Sequence, residues 1–149
     1  MTGARGPADW PNRFTGVPFA DLGRTRAGCD CWGLVRLVYA EVLGIALPSY
    51  AGGYVSAEER AGVAALLDAA DDSGPWVCVT REGWPIAAFD VLVFRRGGLR
   101  AHVGVAIDDA RMLHIEGEDQ AKVVRFLDPR WCSRLDGAWR FAPGLEVGS

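Results

Sequence analysis

The reading of this chain turns on Ala101-His102-Val103-Gly104-Val105-Ala106-Ile107-Asp108-Asp109-Ala110-Arg111-Met112-Leu113-His114-Ile115-Glu116. Two apolar runs flank Asp108-Asp109-Ala110, whose small and acidic residues suit a turn, so the stretch reads as an antiparallel hairpin. It also contains both histidines of the chain. Side chains along a strand alternate faces, so the hairpin register decides whether the two imidazoles can meet. A three-residue loop at 108–110 sets Ile107 opposite Arg111. It then places His114 diagonal to His102 on the same face, roughly 7–8 Å away at Cα. A two-residue loop at Asp108-Asp109 would send them to opposite faces.

The hairpin belongs to a series. Strands are expected at Trp76–Thr80, Val91–Arg95, His102–Ile107, Arg111–Glu116, Lys122–Leu127 and Ala138–Phe141, separated by Gly, Pro and Asp turns. Upstream the period is helical. From Asp30 onward, Leu34, Val35, Leu37, Val38 and Val42 form a wide apolar face, and Gly44 is a natural stop. A second helix is expected from Ser56, with Glu59 completing a capping box, through Val63, Leu66 and Leu67. Residues 1–13 read as an irregular lead-in, and Gly, Pro and Arg stay frequent to residue 28. Helices followed by strands predict an α+β fold, with N-terminal helices packed on an antiparallel β-sheet, in one domain over residues 1–149.

Composition narrows the partners. Of 149 residues, 50% are hydrophobic and 23% charged, which is ordinary for a globular domain. A net charge of −3 with arginines scattered along the chain gives no nucleic-acid signature. No stretch approaches the roughly 20 apolar residues of a membrane span, so neither nucleic acid nor membrane is expected as a partner. Met1 to Trp10 lacks the apolar run of a signal peptide, and the four cysteines form no disulfide framework. The chain is therefore expected to be made, and kept reduced, in a cytoplasm.

Asp30-Cys31-Trp32-Gly33 opens the first helix. A thiol is mostly protonated at neutral pH; a helix N-terminus and a nearby imidazole are what turn it into a nucleophile. Cys31 with His102 and His114 has the composition of a nucleophile, its base and the group that orients the base. Cys29 is the rival thiol, but it precedes the helix cap and is expected to face away. The plain alternative is that Cys31 is a small buried hydrophobe, as most free cysteines are. A zinc site of Cys29, Cys31, His102 and His114 is a further alternative, although Cys-x-Cys is tighter than structural zinc pairs prefer. The leading expectation has no metal and no cofactor.

Cys29-Asp30-Cys31-Trp32-Gly33-Leu34-Val35, His102-Val103-Gly104-Val105 and Leu113-His114 together resemble the NlpC/P60 family of papain-like cysteine peptidases. The resemblance spans roughly residues 14–141. The Asp-Cys-Trp-Gly-Leu-Val helix start, Leu47-Pro48-Ser49-Tyr50 and Phe89-Asp90-Val91-Leu92-Val93-Phe94 are most similar to the phage-tail and gene-transfer-agent branch. It implies Cys31 as nucleophile, His102 as general base and His114 as the residue orienting it, with Asp30, Cys31 and Trp32 around the oxyanion and substrate. The implied substrate is the peptide stem of peptidoglycan, often cut at a γ-D-glutamyl-diaminopimelate bond. The implied partner is a tail hub or tail-tip protein, and the implied place of action is a recipient cell's wall. Many family members carry a Pro-Tyr pair whose hydroxyl helps hold the oxyanion. Here Pro18 is followed by Phe19, and Trp32 replaces a small serine. A structural tail protein without turnover, or an acyltransferase on the same fold, would fit the same pattern.

Overall fold

The structure, a computed structural model, describes residues 9–20, 24–47, 76–96, 99–116 and 119–142. The helix expected from Ser56 lies outside these residues.

Helix α1 covers Cys31–Val38 and continues as a π turn over Tyr39–Leu43. The Asp30 carboxylate caps its start by accepting from the Gly33 N–H at 2.7 Å. Gly44 ends it in the left-handed conformation at φ 69°, where a side chain would strain the backbone. Leu34, Val35 and Val38 form its buried face. The lead-in is more ordered than its composition suggests. Trp10–Arg13 form a 3₁₀ turn, and strands β1 (Arg24–Thr25) and β2 (Gly28–Cys29) pair as a small hairpin just ahead of α1. Trp10 and Phe14 supply the reason, since both are buried in the core.

Six antiparallel strands make the main sheet: β3 (Trp76–Cys78), β4 (Val91–Arg96), β5 (Leu99–Ala106), β6 (Arg111–His114), β7 (Lys122–Arg125) and β8 (Leu135–Phe141). Their spatial order is β3-β8-β4-β5-β6-β7, so the last strand inserts between β3 and β4 and the sheet is not a plain meander. Several strand bounds shift from those expected, two of them where a helical turn follows. The strand expected at Trp76–Thr80 ends at Cys78, and Val79–Glu82 form a helical turn, α2, closed by Gly83 at φ 77°. Thr80 turns its hydroxyl toward β8, accepting from the Ala138 N–H at 3.3 Å. The strand expected at Lys122–Leu127 ends at Arg125, and a second helical turn, α3, occupies Pro129–Cys132.

The hairpin register is that of the three-residue loop. Val105 pairs with Leu113 and Ala106 with Met112, while the Ile107 N–H donates to the Arg111 carbonyl at 2.8 Å. Asp108 fixes the turn by accepting from the Ala110 and Arg111 N–H groups and pairing with the Arg111 guanidinium, which hold its carboxyl below the usual range. Alternation then sorts the side chains. Val91, Val93, Val103, Val105 and Leu113 share a core with the apolar face of α1. Leu92, Phe94, Ala106, Met112 and Ala138 build a second core on the other face, with Phe126 and Trp131.

A strained corner starts β4. Phe89 stands at φ 73°, rare for a residue with a side chain. Its carbonyl accepts from the Tyr39 hydroxyl at 2.5 Å, and its ring stacks on Trp10 at 4.8 Å. Beside it the buried Asp90 carboxylate takes two hydrogen bonds from Arg140 and one from the Ala87 N–H. These contacts hold the corner against its conformational cost, about 1–2 kcal/mol for an L-residue.

Candidate active site

Cys31 is the first residue of α1, at the end where the peptide dipoles leave partial positive charge. It is buried, with 4% of its surface exposed, and its helix packs on β5, the strand that carries His102. Asp30 and Trp32 flank it, both buried. The cap occupies the Asp30 side chain with the Gly33 N–H, while the Asp30 carbonyl takes the Leu34 N–H at 2.9 Å. Cys29 is fully buried on β2, beside Phe19, with which it forms a β-bridge. Among the described residues, no group of three His, Cys, Asp or Glu side chains is arranged to hold a metal ion.

The two histidines meet. His102 Nε2 and His114 Nδ1 lie 3.0 Å apart, and both rings are buried. Gly104 makes the approach possible, because a Cβ there would come within 2.8 Å of Met112 Sδ and 3.4 Å of His114 Cβ. Burial pushes His114 down from its ordinary value to about 4. Within that net value Glu116 and Asp119 act upward, and Lys122 and Arg130 downward. His114 is thus a neutral imidazole at pH 7, able to hold a neighbouring ring without competing for its proton. Its Nε2 is buried without a hydrogen-bond partner among the described residues.

Both imidazoles turn to the second core. His102 contacts Phe94 at 6.1 Å and lies nearly parallel to Trp131 at 5.6 Å, while His114 stands edge-on to Trp131 at 4.7 Å. The buried indole covers the pair, with the guanidinium carbons of Arg130 and Arg134 over its ring at 5.5 and 5.1 Å. Nothing in the sequence reading singled out Trp131; its signal, a tryptophan after Asp128-Pro129, is weak. The strand carrying His102 is also not a sheet edge, since β5 lies between β4 and β6. The paired ladder to β6 stops at Val105–Leu113, however, and a bulge interrupts the β4 pairing next to His102. His102 therefore sits where the sheet opens.

The NlpC/P60 family profile matches residues 16–140. The chain belongs to the NlpC/P60 family. The fold is similar to the NlpC/p60 domain of the peptidoglycan hydrolase SagA, at 21% identity and TM-score 0.58 over 93% of this chain and 97% of that one. An NlpC/P60 family protein from Bacillus cereus matches at 23% identity and TM-score 0.63. A lipoprotein-like NLP/P60 protein from Staphylococcus aureus matches at 21% and 0.60. The chain covers 93% and 94% of its own length in these two matches, but only 41% of theirs. No curated protein matches the chain.

Proposed function

We propose that this protein is a cysteine peptidase that cleaves the stem peptides of peptidoglycan, with Cys31 as nucleophile, His102 as general base and His114 as the residue that orients it. The observation that carries the reading is the buried His102–His114 hydrogen bond on the strand that packs against the helix opened by Cys31.

The chemistry follows from which nitrogen is engaged. His102 Nε2 is held by His114, so Nδ1 is the nitrogen left to receive the thiol proton. That requires the His102 proton on Nε2, donated to His114 Nδ1, with the single proton of neutral His114 on its own Nε2. The Cys31 sulfur attacks the amide carbonyl, and a C–S bond forms as charge moves to oxygen. The C–N bond then breaks while imidazolium His102 protonates the leaving amine. Water, deprotonated by His102, releases the acyl group and restores the thiol. Backbone N–H groups at the α1 start are the candidates for holding the oxyanion, with Asp30 and Trp32 shaping the approach.

Sequence motifs of the tail branch support a finer reading, in which the enzyme rides on a phage-like tail, bound to a hub or tip protein, and opens the recipient's wall. The scissile bond would be of the γ-D-glutamyl-diaminopimelate type. One feature favours a second reading, a tail protein of the same fold with little turnover: Phe19 brings no hydroxyl beside β2. Loss of one oxyanion donor can cost on the order of 10²–10³ in rate. Digestion of purified peptidoglycan with mass analysis of the fragments separates the two. The peptidase reading expects new stem-peptide termini that a Cys31→Ala variant does not produce, and fails if intact and variant protein give the same fragments. Purified tail particles that lack the chain would overturn the tail assignment alone.

A further inference from the structure

Strand β7 is an edge of the main sheet, and its backbone shows which groups face outward. The Phe126 N–H donates to the Ala110 carbonyl at 3.0 Å. Hydrogen-bonded pairs alternate along an antiparallel ladder, so Val124 and Lys122 also turn their backbone groups to β6, and the odd-numbered residues turn theirs outward. The residues just before β7 follow the same phase. Ala121 exchanges hydrogen bonds with Gly16 and Val17 at 2.9 and 2.8 Å, and the Asp119 carbonyl accepts from the Phe19 N–H at 3.0 Å. At Gly16, with φ 95°, the lead-in leaves this edge. Beyond that point the Val123 N–H and carbonyl and the Arg125 N–H face outward, with no strand against them among the described residues. The Arg125 carbonyl accepts from the Asp128 N–H in the following turn at 3.3 Å.

The side chains of this edge are open as well. Val123, Arg125 and Leu127 are exposed, whereas Val124 and Phe126 pack on the second core. Three large apolar side chains are exposed among the described residues, and two of them, Val123 and Leu127, flank Arg125. Arg111 lies opposite Arg125, but Asp108 answers its charge at 2.9 Å, as Asp119 answers Lys122 at 2.7 Å. Arg125 has no ion pair among the described residues. It is an exposed cation between two exposed apolar groups, beside open backbone donors and an open acceptor.

We propose that the outer edge of β7 binds an extended segment of a partner polypeptide by strand addition, and that this segment reads apolar-x-acidic-x-apolar. The open backbone groups of Val123 and Arg125 supply the ladder. A residue of the added strand opposite Arg125 shares its face, so an acid there makes a cross-strand ion pair. Its neighbours two residues away lie opposite Val123 and Leu127, which favours apolar side chains at both. The pattern is the same read in either direction, so it serves a parallel or an antiparallel strand. Charge on an edge strand is a common guard against pairing with another sheet. Here the guard is selective. A second copy of this chain brings a second Arg125 into the same short ladder, where like charges repel, while an acid-bearing strand is attracted.

The probe is a cyclic β-hairpin peptide whose outer strand reads Thr-Val-Thr-Glu-Thr-Val-Thr; closing the ring limits the cost of ordering it. It is titrated against the intact protein by fluorescence anisotropy and by amide NMR spectra. Binding should saturate below about 1 mM, with the largest amide shifts at Val123 and Arg125. A second peptide with Lys in place of Glu should bind about 5–10-fold more weakly, and Arg125→Glu should reverse the order of the two. Val123→Pro removes an outward N–H that β6 does not use, so it should leave the β6 amide signals in place and abolish binding of both peptides. No saturation by about 1 mM, equal affinity for the two peptides, an order that Arg125→Glu does not reverse, or binding that survives Val123→Pro would each overturn the proposal. Dimerisation of the intact protein that Val123→Pro removes would give the edge to a second copy and overturn it equally. None of these readouts involves cleavage, so the outcome is independent of the peptidase reading.

Discussion

Acid should destabilise this fold through His114, beyond what its carboxylates contribute. Its imidazole is fully buried, and burial holds it near 4 where an unfolded chain would titrate at about 6.5. The folded value is depressed, so the unfolded state binds the proton more readily. Stability is fully present above about 6.5, falls as pH drops through the window between the two values, and levels off below about 4. At 1.36 kcal/mol per unit, the gap corresponds to about 3 kcal/mol in full, most of it lost by pH ~4.5. That is a large share of the roughly 5–15 kcal/mol that holds a typical domain together. Urea unfolding at about pH 7 and pH 4.5 measures it, with His114→Asn as reference. Asparagine places an acceptor where Nδ1 now meets His102 and carries no titrating group, so Asp108 and other acids contribute equally to both proteins and cancel in the comparison. The wild type should lose about 2–3 kcal/mol more than the variant over this interval. An equal loss in both proteins would show that His114 titrates normally, and the account of a neutral orienting residue would fail with it.

Two further outcomes follow from the same geometry. Cys31→Ser should abolish stem-peptide cleavage with the thermal midpoint nearly unchanged, whereas Cys29→Ser, buried on β2 away from the helix start, should retain most activity at some cost in stability; inactivity confined to Cys29→Ser would reassign the nucleophile. Gly104→Ala should press on Met112 and His114, costing about 1–3 kcal/mol in urea unfolding and lowering kcat more than it raises KM; unchanged kinetics would mean that His114 does not set the direction of His102.

The parts legible in the sequence were those fixed by short-range rules. The Asp30 cap and the Gly44 stop bound one helix, and the three-residue loop set by Asp108 placed His102 and His114 on one face. What escaped depends on contacts between distant segments. Thr80 leaves β3 because its hydroxyl finds Ala138, 58 residues away, and β8 slips between β3 and β4, which no local period encodes. The lead-in looked irregular because its order comes from Trp10 and Phe14 entering a core that other segments supply.

Trp131 shows why the same limit reaches the chemistry. A hydrogen bond between two imidazoles is weak while water competes for both rings, and a dry environment strengthens it. The hairpin brings His102 and His114 together, but it does not dry them; α3, arriving after β7, does so by laying Trp131 over both rings. The same exclusion of water drives His114 down toward 4, and its Nε2 has no hydrogen-bond partner among the described residues. The direction given to the His102 ring and the acid sensitivity of the fold thus have one physical cause. The carboxylate-bearing or amide side chains that can also orient a histidine would not couple the two in this way, because neither would become a buried cation at low pH.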